Sequence, residues 1–389
     1  MEFVSLGSIV DIYLGITHTP EYVNEGIPFL SVKDISKGKI DFSNCKYISI
    51  DEYNSFPKGA KPQNGDILFC RVGTIGKPII IPDDVPCFGS FVSLGFLRLK
   101  SNEWNPKFIK YWMESDLFWK QVKQNTKGAS QVNLNTNWLK KFIIPNYSIE
   151  IQNKIVDKLD KITNLIILNN LNMDNLENIV KSQFIEMFGS YKKDTPIANV
   201  TSEIKRGQWG DEPLLDELNY KVIKTNNMEY DGTLDLSEVV VRNIKKEKFE
   251  KNKLEYGDIL VEKCGGTKTH SVGYSCLFLG NDDFVANNFI MILTPNKEKI
   301  NPYFLQYQLR YMYESNDFAD CFNKTTGIQN LKVDLYKNKQ ICIPNIELQN
   351  KFADFVQQID KSKYIESLEN KHNKKTYYNL FSNIYYVIL

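Results

Sequence analysis

The stretch Gly65-Asp66-Ile67-Leu68 runs into a loop carrying Arg71, Thr74 and Lys77, and the same four residues return as Gly257-Asp258-Ile259-Leu260 ahead of Lys263, Thr267, Lys268 and His270. The offset is 192 residues (65 to 257). One tetrapeptide can recur by chance, so the reading turns on what flanks it. Asn105-Pro106-Lys107-Phe108 is answered by Asn301-Pro302-Tyr303-Phe304, and Thr126-Lys127-Gly128-Ala129-Ser130-Gln131-Val132-Asn133-Leu134 by Thr325-Thr326-Gly327-Ile328-Gln329-Asn330-Leu331. Ile144-Pro145-Asn146 is answered by Ile343-Pro344-Asn345, and Gln152-Asn153-Lys154 by Gln349-Asn350-Lys351. The order is kept while the offset drifts by a few residues, the mark of a tandem duplication.

Each unit opens with short apolar runs broken by Gly, Pro, Asn and Asp, such as Ile79-Ile80-Ile81-Pro82, a β-rich pattern. Asn105 and Asn301 read as N-caps, because each precedes a proline whose missing N–H costs nothing at the first helical position. Each unit closes on a longer helical segment. Ile155, Leu159, Ile162, Ile166, Leu176, Val180, Phe184 and Met187 recur mainly at three and four, with Gly189 as a stop, and Leu348, Phe352, Val356, Ile359, Ile365 and Leu368 repeat the pattern. The fold expected is α+β: two tandem β-rich heads at 1–150 and 190–346, and helical spacers at 151–189 and 347–389. The spacers pack as an antiparallel coiled coil that relates the heads by a pseudo-two-fold axis. The last stretch, His372 to Leu389, is rich in Tyr, Asn and Ile and lacks a closing helix pattern.

The 389 residues suit two domains, and 42% hydrophobic with 24% charged residues is a globular composition. No basic stretch precedes an apolar run at the amino terminus and no window spans a membrane, so the expected location is cytoplasmic. Seven cysteines without a Cys-x-x-Cys pair predict reduced thiols, with neither a disulfide framework nor a zinc site. Gly73-Thr74-Ile75-Gly76-Lys77-Pro78 fails as a P-loop, and His18, His270 and His372 stand apart from any metal-ligand spacing. The two Asn-Pro-x-Phe sites lack the second proline of the motif that grips a flipped adenine in amino methyltransferases, and capping explains them better. Asp83-Asp84 and Asp282-Asp283 read as turn residues. No catalytic or metal-binding residue is expected.

With 48 basic and 47 acidic residues, any nucleic-acid contact must be local. Two repeated loops supply cations and amides: Arg71, Thr74 and Lys77 against Lys263, Thr267, Lys268 and His270; then Lys123, Lys127, Ser130, Gln131 and Asn133 against Lys324, Thr325, Thr326, Gln329 and Asn330. Lys and Arg neutralise phosphates, Arg can pair with guanine, and Gln and Asn can pair with adenine in the major groove. Each loop reads equally well as a turn. Thr17, His18 and Thr19 differ from their counterparts Arg206, Gln208 and Trp209, so two different half-sites are expected if both heads read DNA.

The ordered double set of Gly-Asp-Ile-Leu with its loop, Thr-x-Gly-x-Ser-Gln-x-Asn-Leu, Ile-Pro and a Gln-containing helix start resembles the specificity subunits of type I restriction-modification enzymes over nearly the whole chain. The resemblance implies a non-catalytic subunit whose two target recognition domains each bind one half of a split, asymmetric double-stranded DNA target. It implies helical regions that dock two methyltransferase (modification) subunits, with restriction/translocase subunits completing the enzyme. S-adenosylmethionine, ATP and Mg would then belong to those partners, and none to this chain. A methyltransferase with fused recognition domains would need a further catalytic domain; a repeat scaffold without a nucleic-acid role is the third reading.

Overall fold

The computed structural model describes residues 2–35, 38–126, 133–214, 219–266, 270–281, 283–322 and 328–382, the side chains of 381 and 382 excepted. The described residues fall in two compact units, one from Met1–Asn170 and Ser367–Leu389, the other from Leu171–Glu366.

In the first unit, β1 (Val10–Leu14), β2 (Ile67–Cys70), β3 (Gly76–Ile80) and β4 (Leu94–Leu99) form an antiparallel sheet in the order β1-β4-β2-β3. In the second, β5 (Thr201–Arg206), β6 (Ile259–Glu262), β7 (Ser275–Leu277) and β8 (Ile290–Pro295) repeat the order as β5-β8-β6-β7. The duplication read from sequence is thus a duplication of topology. Each unit holds a second sheet containing a parallel pair: Ile27–Leu30 with Gly89–Ser90, and Asn219–Ile223 with Phe284–Ala286.

The Gly-Asp-Ile-Leu strands are central and buried on both faces, which is why they read as unbroken apolar runs. Ile67 and Phe69 join the core that also holds Phe108, Trp112 and Leu159, while Leu68 and Cys70 join Leu30, Phe88 and Phe96 on the other side. Ile259 and Val261 likewise part from Leu260. The glycine and aspartate make the turn into the strand. Gly65 and Gly257 sit at φ +83° and +96°, a region costly for a residue with a Cβ. Asp66 Oδ2 accepts from Gln63 N and Asp258 Oδ2 from Glu255 N, both at 2.8 Å.

The remaining repeated motifs lock to one another. Asn105 caps helix Pro106–Glu114 and Asn301 caps Pro302–Glu314, accepting from Lys107 N at 2.8 Å and Tyr303 N at 2.9 Å. Their own backbone N–H groups donate to buried Gln152 and Gln349, each at 2.8 Å. Each glutamine also donates at 2.8 Å to a carbonyl just before its long helix, that of Tyr147 or Pro344.

The long helices are Ile149–Phe188 and Ile346–Ser382. At 1.5 Å per residue the first extends roughly 60 Å. In the first unit, Asn370 donates to Asn170 at 2.7 Å. In the second, Asn172 donates to Glu366 at 3.2 Å, and Glu177 holds both Lys363 and Arg310. Early residues of one helix therefore meet late residues of the other: the pair is antiparallel, as the matched stripes predict. The expectation that the helix pattern fails from His372 onward is corrected. The second helix runs through to Ser382 because Tyr377 and Leu380 pack against the first unit's core, and the polar residues before them face solvent or sit half-buried on the helix surface.

Among the described residues, no helix is long and apolar enough to cross a membrane. All seven cysteines are free.

Candidate nucleic-acid interface

Strand register assembles the candidate residues. β1 pairs antiparallel with β4, and β4 with β2, so the end of β1, the end of β2 and the start of β4 share one edge of the sheet. That edge carries the turn after Leu14, Arg71 and Ser93. The loop ending at Asn133 joins them: Val72 bridges to Asn133, and Leu134 N donates to Arg71 O at 2.9 Å. The second unit repeats the arrangement. Cys264 pairs with Asn330 and Gly265 with Gln329, while Leu331 N donates to Lys263 O at 2.8 Å. The two loops that sequence could only place far apart are thus neighbours in each unit, with Arg71 and Lys263 at equivalent positions.

Burial weighs on both cations. Arg71 is half-buried and its Nε has no hydrogen-bond partner among the described residues; burial pulls its guanidinium below the usual range. Burial, and then repulsion from Arg206, pull the Lys263 ammonium below the ordinary lysine value. A bound anion would reverse both effects, since it favours the charged form. Gln329 and Asn330 stand beside Lys263, with Gln329 Oε1 accepting from Val272 N at 3.2 Å.

The divergent turns also occupy equivalent places. A Cβ on Gly15 would stand 2.1 Å from the Ser90 carbonyl oxygen, and one on Gly207 1.8 Å from that of Asn287, so only glycine lets the chain leave the sheet there. Thr17, His18 and Thr19 follow exposed in the first unit, with His18 Nε2 3.3 Å from Glu52. In the second, Arg206 is exposed, Gln208 accepts from Asn252 at 3.0 Å, and Trp209 lies under the Arg242 guanidinium at 4.6 Å from the ring centroid. His270 stacks on Tyr230 at 3.9 Å.

Gly76 and Lys77 both take positive φ, and exposed Lys77 lines a cavity of about 380 Å³ with Glu114, Trp119 and Tyr377. Thr74 is exposed in the same loop as Arg71, and Lys123 is exposed near the end of helix Asp116–Asn125. Lys127, Ser130, Gln131, Thr267, Lys268, Lys324, Thr325 and Thr326 lie outside the described residues. Two residues at the same edge escape sequence comparison: Arg242, and Phe289, which is 51% exposed and whose carbonyl accepts from Lys263 N at 2.7 Å. The run Asn287-Asn288-Phe289 ahead of an apolar strand was the available signal.

The profile of the type I restriction modification DNA specificity domain matches residues 1–178 and again 202–375. The chain is 28% identical over 151 residues to the type I restriction enzyme EcoBI specificity subunit of Escherichia coli, covering 38% of this chain and 31% of that one. It is 25% identical over 185 residues to the type I restriction enzyme MjaVIII specificity subunit of Methanocaldococcus jannaschii, covering 46% and 43%. These alignments span less than half of the relatives' own length. The fold is similar to a type I restriction-modification S subunit from M. genitalium, at TM-score 0.54 and 15% identity over 98% of this chain and 95% of that one. It is also similar to a chain from a structural study of complex assembly and conformational transition of the type I R-M system, at TM-score 0.59 and 16% identity over 100% and 98%. Matched in both halves and across most of its length, the chain belongs to the family of type I restriction modification DNA specificity domains.

Proposed function

We propose that this chain is the sequence-reading subunit of a type I restriction-modification enzyme, that it recognises a split asymmetric DNA target with one half-site per unit, and that it performs no chemistry itself. The observation that carries this reading is the repeated sheet edge: one topology, one equivalent cation at Arg71 and Lys263, and different turns beside it. A retained frame with divergent edge residues is what two reading heads with different targets require, because phosphate contacts position while base contacts specify.

The modification subunits dock on the long helices in this reading. In the first unit, Leu165, Ile167 and Leu168 are exposed along the first of them, an apolar series that a partner surface would cover. Those subunits bring S-adenosylmethionine and methylate adenine, and a restriction/translocase subunit uses ATP and Mg, all in the cytoplasm. Methylome sequencing of a host that expresses the chain with its methyltransferase partner tests the reading. A bipartite adenine-methylated motif is expected, and transfer of labelled methyl by the isolated chain would overturn it.

A further inference from the structure

The first unit's helix Ile50–Ser55 follows strand Lys46–Ile48, just as the second unit's helix Lys246–Asn252 follows strand Val240–Asn243. Both helices are tied to the turn after the crossing glycine, one through His18 and Glu52, the other through Gln208 and Asn252. The place is the same and the charge is opposite. The first helix carries Asp51 and Glu52 and no lysine; the second reads Lys246-Glu247-Lys248-Phe249-Glu250-Lys251-Asn252.

Resting on the DNA-reading function above, we propose that the two units grip DNA unequally, the second through a phosphate track that the first lacks. The track is a cleft of about 720 Å³ between the turn at 206–211 and helix Lys246–Asn252. Lys245, Lys248 and Lys251 line it, three residues apart and therefore on one helix face, whereas Glu247 and Glu250 do not. Lys205 and Arg206 line it from the sheet edge. Of the acidic lining residues, Glu203 is engaged by Lys205 at 3.5 Å, which leaves Asp211. Lys245, Lys248 and Lys251 are exposed and form no ion pair among the described residues. Their row is held in place by Phe249, which is buried and stacked on Tyr220 at 3.6 Å.

A row of solvated ammonium groups along an open cleft suits an extended polyanion rather than a small anion, which would need enclosing donors. Gln208, Asn243, Asn252 and Asn288 add amides that bond to phosphate or base edges. The half-site under the second unit then supplies most of the salt-dependent affinity, because the corresponding helix of the first unit carries Asp51 and Glu52, with Lys61 donating to the Asn54 carbonyl at 3.0 Å in place of a row of lysines.

The test titrates the complex of the full chain with its methyltransferase subunits against a fluorescent duplex of random sequence over a range of KCl. Three released counterions correspond to a slope of log affinity against log salt shallower by about 2.7. The variant Lys245→Ala/Lys248→Ala/Lys251→Ala is expected to lose about that much, the triple Lys→Arg variant to keep the wild-type slope, and Glu247→Gln/Glu250→Gln to leave it no shallower. An alanine variant that melts like wild type and keeps the wild-type slope overturns the track alone. A wild-type complex with no salt-dependent DNA binding overturns the functional reading as well. Phosphate ethylation interference on the methylated target locates the track: blocking positions concentrated on the half-site assigned to the second unit support it, and an even distribution overturns it.

Discussion

The two Gly-Asp-Ile-Leu turns are alike in backbone and unlike in how they satisfy the carboxylate. Asp66 takes both a 2.9 Å bond from Nε and a 2.7 Å bond from a terminal nitrogen of Arg98, while Asp258 takes a single 2.7 Å bond from the Thr294 hydroxyl. Arg98 and Thr294 stand at the same register on β4 and β8. With no cation partner of that kind, burial dominates at Asp258 and raises its pKa. What the duplication has retained is the bond from carboxylate to the preceding turn. The second partner has drifted, so the turn and not the ion pair is the element both folds need.

The comparison breaks most visibly where the long helices are anchored. Phe352 packs with Phe184 at 5.5 Å and Phe188 at 5.4 Å, in a place held in the first unit by Ile155. Phe352→Ala is expected to cost about 3–5 kcal/mol and Ile155→Ala about 2–5 kcal/mol, each lowering hydrogen-exchange protection mainly in its own unit. Loss of protection in both units alike would show that the units do not unfold separately. Gln152→Ala and Gln349→Ala should come next, each leaving a buried N–H and carbonyls unpaired at about 2–4 kcal/mol. Similar costs are expected in urea unfolding, and a large inequality would deny that the two locks are equivalent.

At the sheet edge, Lys263→Ala should weaken binding to every duplex with a salt slope shallower by about one. Arg71→Ala should do the same, and should also relax the methylated motif at one base if Arg71 pairs with guanine rather than phosphate. The smallest expected effect concerns Glu262, whose counterpart is Cys70. Burial raises the Glu262 pKa, and its carboxylate accepts a weak 3.4 Å bond from Gly266 N. A carboxyl raised in the folded state adds stability at low pH that is lost as pH rises through the folded value. Glu262→Gln should therefore melt about 2–4 °C above wild type at pH 8, with the gap closing on acidification. A gap that widens in acid would reverse the sign of the assignment.

The frame was legible because its residues occur twice: Asn105 with Gln152 and Asn301 with Gln349 bond to each other, so neither member can change alone without stranding a buried group. The interface was legible only in part, for the opposite reason. Arg242, Phe289 and the lysines at 245, 248 and 251 lie outside the repeated motifs, so a repeat comparison passes over them and they emerge only when topology superposes their positions.

Residues 171–366 make one unit without interruption, whereas the other is built from the two extremes of the sequence. On a translating ribosome the second unit has all its own residues before the first does. Until residues 367–382 emerge, Tyr111 lacks the Tyr377 ring that later sits 6.4 Å away, and Glu114 lacks its 3.4 Å bond from the Tyr377 hydroxyl. The unit synthesised first is thus completed last, and a chain truncated after Glu366 would hold every residue of the second head and a first head still open along its long helix.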